Sequence, residues 1–163
     1  MATASARLGA ERAQRASHGS PEWYTPDWLM RRITAFLGDG WYDPCPARQS
    51  KPLTTNGLSE SWRGRAVYCN PPYGRDIPPW IIKAMTEPLR EIILLVPAST
   101  DTQWFAPLFA HTLLFITGRV YFSRPKGEAL RAPATPHPSV LVYRGRRYRQ
   151  FADAFSDLGP VLR

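Results

Sequence analysis

Ala66-Val67-Tyr68-Cys69-Asn70-Pro71-Pro72-Tyr73 is the stretch on which the reading of this chain turns. Four residues of strand character run into two adjacent prolines. Each proline removes a backbone donor and restricts the residue before it, so the strand must stop there. From Pro79 to about Glu87 the pattern turns helical, with Trp80, Ile81 and Ala84 as the buried stripe. Glu91 to Val96 then carries Ile-Ile-Leu-Leu-Val, the continuous apolar run of a strand covered on both faces. Strand, rigid loop, helix and buried strand in this order predict an α/β domain.

Working outward, Thr25-Pro26-Asp27 reads as a helix start, with Thr25 at the N-cap and Pro26 at the first helical position. That helix is expected to run to Leu37 and stop at Gly38. Trp41 to Asp43 is a short strand candidate. Thr102 to Ala110 is expected as a helix and Leu113 to Ile116 as a strand. Arg119 to Phe122 and Val140 to Arg144 are expected to close the sheet as an antiparallel hairpin. The outcome is a compact mixed sheet with helices on both faces and a C-terminal hairpin. Residues 1–20 are rich in Ala, Arg and Ser without a core-forming pattern and read as a disordered tail, leaving 21–163 as a single domain.

Charge narrows the partners. Lys and Arg number 21 against 13 acids, a net charge of +8, which favours a polyanion such as nucleic acid. No apolar stretch is long enough for a membrane span or a secretory signal, so neither is expected. Cys45 and Cys69 form no C-x-x-C, and the three histidines lack ligand spacing, so no metal site is expected and the cysteines suit a reducing cytoplasm.

In a sheet of this kind ligands bind beyond the carboxyl ends of the strands. Three loops follow strand candidates there: Asp43-Pro44-Cys45, Asn70-Pro71-Pro72-Tyr73 and Pro97-Ala98-Ser99-Thr100-Asp101. The second has the most specific chemistry. An exocyclic amine on a heteroaromatic ring is a weak nucleophile, because its lone pair is delocalised into the ring. Acceptors placed against its N–H bonds return density to nitrogen, and Asn70 offers a side-chain carbonyl for this. Pro71 offers a main-chain carbonyl on a stiff backbone, and Tyr73 a ring on which a base can stack. By itself the run suits methylation of any planar amine or amide: DNA or RNA adenine, cytosine N4 or protein glutamine. No G-x-G-x-x-G follows the first strand, which argues against a cofactor bound through a pyrophosphate.

The Asn-Pro-Pro-Tyr run is similar to the signature of amino-group methyltransferases, and the wider chain resembles the phage-type (Dam-like) DNA N6-adenine methyltransferases. The resemblance runs from about Glu22 to about Tyr143. It rests on Glu22-Trp23-Tyr24-Thr25-Pro26, Asp43-Pro44, Asn56-Gly57-Leu58 with Trp62, and Tyr68 through Arg75. Leu95 through Thr102 with Trp104-Phe105, Gly118 through Phe122, and Pro138 through Val142 complete it. It implies a Rossmann-like methyltransferase fold, an S-adenosyl-L-methionine cofactor, a flipped adenine in DNA, and the cytoplasm of a bacterial host for a phage or prophage enzyme.

By matching position, Asn70, Pro71, Pro72 and Tyr73 are the catalytic set. Trp23, Tyr24, Thr25, Pro26, Asp43, Pro44, Cys45, Asn56, Leu58 and Asn70 are the cofactor set. Asn56 stands where the family usually has Asp, and Ser99 where it often has Arg. For DNA the candidates are Arg75, Arg119, Arg124, Lys126, Arg144, Arg146 and Arg147. The last three, with Arg149, surround Tyr143 and Tyr148 in the densest basic-aromatic patch of the chain. A DNA-binding relative without catalysis is the remaining alternative, and the intact Asn70–Tyr73 run argues against it.

Overall fold

The computed structural model describes residues 24–46, 57–122 and 137–163. The tail expected over residues 1–20 lies outside them. The described elements in chain order are α1 (Asp27–Leu37), β1 (Ala66–Cys69), α2 (Ile77–Thr86), β2 (Glu91–Pro97), β3 (Thr112–Phe115), β4 (Ser139–Arg144), α3 (Tyr148–Phe155) and β5 (Val161–Leu162). The strands form one mixed sheet in the order β1-β2-β4-β3-β5. β1 and β2 are parallel, with Val67 opposite Ile92. β4 lies antiparallel to both β2 and β3, and β5 antiparallel to β3. Tyr42 adds a single parallel bridge to Val67, so the candidate strand at Trp41–Asp43 is reduced to one rung.

Alternating strand residues feed two cores, one on each face. α1 and α3 bring Leu29, Ile33, Phe151 and Phe155 onto Tyr68, Ile93, Leu95 and Leu141. α2 brings Ile77, Trp80, Ile81 and Ala84 onto Val67, Cys69, Ile92 and Leu94. Ile92 through Val96 are all fully buried, as a strand covered on both faces requires. The expected stripe of α2 is therefore the buried one, extended by Ile77.

Three expectations change. Pro26, not Thr25, is the N-cap of α1; its carbonyl accepts from Leu29 N and Met30 N, both at 3.0 Å. Gly38 does end the helix, at φ 79°. The stretch 102–110 is a chain of turns ending in a short 3-10 helix, Ala106–Ala110, instead of an α-helix. Pro107 lacks the N–H that an α-helix would need there. Residues 119–122 form no strand, so the C-terminal hairpin is not formed. Both hydrogen-bonding sides of β4 are already taken by β2 and β3, which leaves no ladder position for a hairpin partner. The chain after β4 instead forms α3, whose Tyr148, Phe151 and Phe155 carry the helical spacing in plain view.

Candidate active site at the carboxyl edge of the sheet

Strand direction decides which loops meet. Tyr42, β1 and β2 run the same way, and β3 runs with β2 because both oppose β4. Asp43, Asn70, Ala98 and Ile116 therefore leave the sheet at one edge.

At this edge the hydroxyl of Thr25, no longer needed as a cap, lies 2.5 Å from the Tyr68 hydroxyl. Asn70 Nδ2 donates to the same Thr25 oxygen at 3.4 Å. The start of α1 is thus tied to the last turn of β1. The Asn70 amide has its amino group turned toward Thr25. Pro71 is buried and Pro72 partly so, which fixes the loop without backbone donors. Tyr73 packs edge-on to Phe122, with ring centroids 6.2 Å apart. Gly74 follows at φ 88°, a left-handed turn that hands the chain to α2 through Gly74–Asp76.

The Asp43 loop is locked beside it. Asp43 Oδ1 accepts from Cys45 N at 2.9 Å and closes a turn over Pro44. Gly57 packs directly on that turn: a Cβ there would lie 1.9 Å from Pro44 O, so only glycine fits. Trp62 Nε1 donates to Gly57 O at 2.9 Å, and the Tyr42 hydroxyl donates to Glu60. Leu58 and Cys45 pack against the same core as Cys69.

The walls are electrically quiet. Burial pushes the Cys69 thiol well above its ordinary value, and Cys45 and Asp43 push the same way. That thiol stays protonated and is no nucleophile. Burial likewise raises the Tyr68 and Tyr73 phenols. Two buried hydroxyls, of Tyr24 and Tyr73, find no hydrogen-bond partner among the described residues. No group of three metal-ligating side chains occurs among the described residues, and no helix there is long and apolar enough to cross a membrane. The arrangement offers rigid acceptors, an aromatic ring and unspent hydroxyls, a set suited to holding a polar planar group.

The sequence candidates divide by place. Tyr24, Thr25, Pro26, Asp43, Pro44, Cys45, Leu58 and the Asn70–Tyr73 run gather at this edge; Trp23 and Asn56 lie outside the described residues. Arg75 is exposed directly after Tyr73-Gly74, and Arg119 is exposed beyond β3; Arg124 and Lys126 are outside the described residues. Arg144, Arg146 and Arg147 are at the opposite edge, because Arg144 pairs with Ile92 at the start of β2. Arg144 donates to the carbonyls of Ala84 and Glu87, and Arg147 is bound to Glu91. The Tyr143 they were expected to flank is buried, stacked on Phe151 at 4.9 Å. Sequence reading missed Tyr68 and Phe122 as neighbours of the site. The inward alternation of Val120 and Phe122 around exposed Tyr121 was the available signal for Phe122.

A family model described as DNA N-6-adenine-methyltransferase (Dam) matches residues 14–156. Comparison with curated proteins and with solved structures finds no match. The matched span holds the loops at Asp43, Asn70, Ala98 and Ile116, and with it the chain belongs to the DNA N-6-adenine-methyltransferase (Dam) family.

Proposed function

We propose that the protein methylates the N6 amino group of a flipped adenine in DNA, on a Rossmann-like methyltransferase fold and at a specific DNA sequence. The observation that carries this reading is the Asn70 amide. Thr25 accepts from its amino group at 3.4 Å, which fixes the amide at the end of β1 ahead of two prolines. The Asn70 and Pro71 carbonyls accept from the amine's two N–H bonds. The developing positive charge on nitrogen strengthens those bonds as transfer proceeds. Tyr73 offers its ring to the base. A duplex hides this amine in a base pair, so the base must leave the stack to reach Asn70.

The residues present fit S-adenosyl-L-methionine, which when bound supplies an electrophilic methyl group on a sulfonium. The Tyr24 and Tyr73 hydroxyls, without a partner among the described residues, supply hydrogen-bonding capacity already removed from water. Thr25, Pro26, Asp43, Pro44, Cys45, Leu58 and Asn70 form the wall, with Trp23 and Asn56 as further members by position. No residue has to act as a covalent nucleophile, in keeping with the protonated Cys69. Arg75 and Arg119, with Arg124 and Lys126, are the candidates for the phosphates around the flipped base. A phage or prophage enzyme of this kind works in the cytoplasm of a bacterial host.

The test uses labelled S-adenosyl-L-methionine with DNA, RNA or protein, followed by identification of the methylated group. N6-methyladenine in DNA is expected; a methylated cytosine, RNA or glutamine sinks the proposal. Asn70→Ala is expected to lower turnover by about 10²–10³-fold, the scale of one lost preorganised hydrogen-bonding group, with the fold retained. Full activity in that variant removes Asn70 from the chemistry.

A further inference from the structure

We infer that the edge of the sheet opposite the active site is a second DNA-contact surface, which holds the phosphates of a segment other than the one being methylated. Its identity as a DNA surface rests on the reading above; its charge and shape do not.

Asn70 follows the carboxyl end of β1, whereas Arg90 precedes β2 and Arg146 follows β4 at the other end. β2 spans seven residues, so the two edges lie about 20 Å apart at roughly 3.3 Å per residue. That is about two Debye lengths at 0.1 M salt, so arginines at one edge barely feel phosphates at the other.

Exposed positive charge gathers at this far edge. Arg63, Arg65, Arg90, Arg146 and Arg149 are all exposed. Of the nearby acids, Glu87 is held by Lys83 at 3.2 Å and Glu91 by Arg147 at 2.8 Å. Glu91 also lies 3.5 Å from Arg90, whose side chain remains 59% exposed. Among the described residues the exposed acids at this end are Asp39, just past α1, and Asp153, one turn after Arg149 on α3.

The scaffold under these arginines is rigid. Glu91 is 3% exposed and accepts from Arg147 Nε at 3.0 Å and from the Tyr143 hydroxyl at 2.9 Å. Arg147 reaches Phe36 O at 2.9 Å and lies 4.3 Å from the Phe36 ring centroid. Arg144 is pinned to two carbonyls. Between them Gly145 makes the turn, where a Cβ would meet the Tyr143 hydroxyl at 2.3 Å. Two anchored arginines and an obligatory glycine therefore present Arg146 outward. It lines an open cleft of about 580 Å³ with Leu37, Leu89, Arg90, Glu91 and Arg147.

Phosphate fits this surface better than an acidic protein does. Guanidinium forks match phosphate oxygens. A protein interface needs an apolar centre, and none of the large exposed hydrophobics (Trp28, Ile82, Phe109, Tyr121, Leu162) lines the cleft. A second contact keeps the enzyme on a long duplex while the active site changes target.

The experiment is a double charge reversal, Arg90→Glu with Arg146→Glu, checked for an unchanged thermal midpoint. Binding of a long duplex without cofactor is followed by fluorescence anisotropy across a salt series. Methylation is measured on long duplex and on one just long enough to fill the active-site edge. The salt slope of log K is expected to flatten by about 2, with fewer methyl transfers per encounter on long DNA. The short duplex is expected to be methylated at the wild-type rate. An unchanged salt slope overturns the inference, and is the outcome if the edge serves an acidic protein. An equal loss on the short duplex also overturns it, because the edge then belongs to the catalytic DNA path. Binding is read without turnover, so a failure of methylation alone leaves the flattened slope interpretable.

Discussion

The two edges of one sheet are built to opposite electrostatic plans. Among the described residues the carboxyl edge carries Asp27, Asp43, Asp76, Asp101 and Asp157 against Arg32, Arg75 and Arg119. The amino edge carries eight arginines (Arg63, Arg65, Arg90, Arg144, Arg146, Arg147, Arg149 and Arg163) and Lys83 against Asp39, Glu87, Glu91 and Asp153. The proposed chemistry accounts for the division. A weakly nucleophilic amine is activated by fixed neutral acceptors, and a cation beside it would withdraw the density those acceptors return. Tyr68, Cys69 and Tyr73 are held uncharged by burial around Asn70. Positive charge that grips phosphate is best kept away from the reacting nitrogen.

Glu91 holds the amino edge together. This buried carboxylate holds Arg147 and receives the Tyr143 hydroxyl. Removing one partner of a buried pair costs up to about 5 kcal/mol. Arg147 is 42% exposed on its side chain, so solvent screens the loss and Glu91→Gln is expected to cost about 2 kcal/mol. Denaturant unfolding measures this. Methyl transfer below the unfolding range is expected to stay near wild type. A large loss of kcat in the folded variant would show that the two edges are not independent.

The reverse case is Tyr73→Phe. The Tyr73 hydroxyl is buried without a partner among the described residues, and such a group costs about 1–3 kcal/mol. Its removal is expected to stabilise the free protein by about 1 kcal/mol while raising the KM for S-adenosyl-L-methionine or DNA. Thermal unfolding and steady-state kinetics separate the two effects. Destabilisation with unchanged KM would mean that the hydroxyl serves the fold and not a ligand.

Legibility in the sequence followed the range of the interactions. The strand into Asn70-Pro71-Pro72 and the buried β2 were readable because prolines and an apolar run act locally. The cap of α1 was misplaced because Thr25 is claimed by Tyr68, 43 residues away. The hairpin at 119–122 failed for the same reason: β4 is sandwiched between strands distant in sequence. The basic patch at 144–149 was visible as composition, but the edge it occupies follows only from β4 running against β2. The gathering of Thr25, Asp43 and Asn70 was legible as a family resemblance, while the Thr25–Tyr68–Asn70 linkage needed side-chain geometry.

The smallest effect is a pH dependence at the amino edge. His111 precedes β3 there, and burial lowers its pKa from 6.5, with Arg144 adding to the shift. A histidine with a lowered folded pKa binds its proton more readily when the chain is unfolded. Stability is therefore full above the unfolded value of 6.5 and declines as pH falls from there through the lower folded value. His111→Gln is expected to flatten that decline, measured as thermal midpoint against pH between about 5 and 7, bracketing the ordinary histidine range. Because His111 is only partly buried, the change is expected to be slight. An identical slope in the variant would assign the acid sensitivity of this edge to its carboxylates. Glu87 is the first to examine, since its pKa is lowered by the Trp62 backbone N–H and by Lys83. Its contribution is lost only as pH falls further, through the carboxylate range.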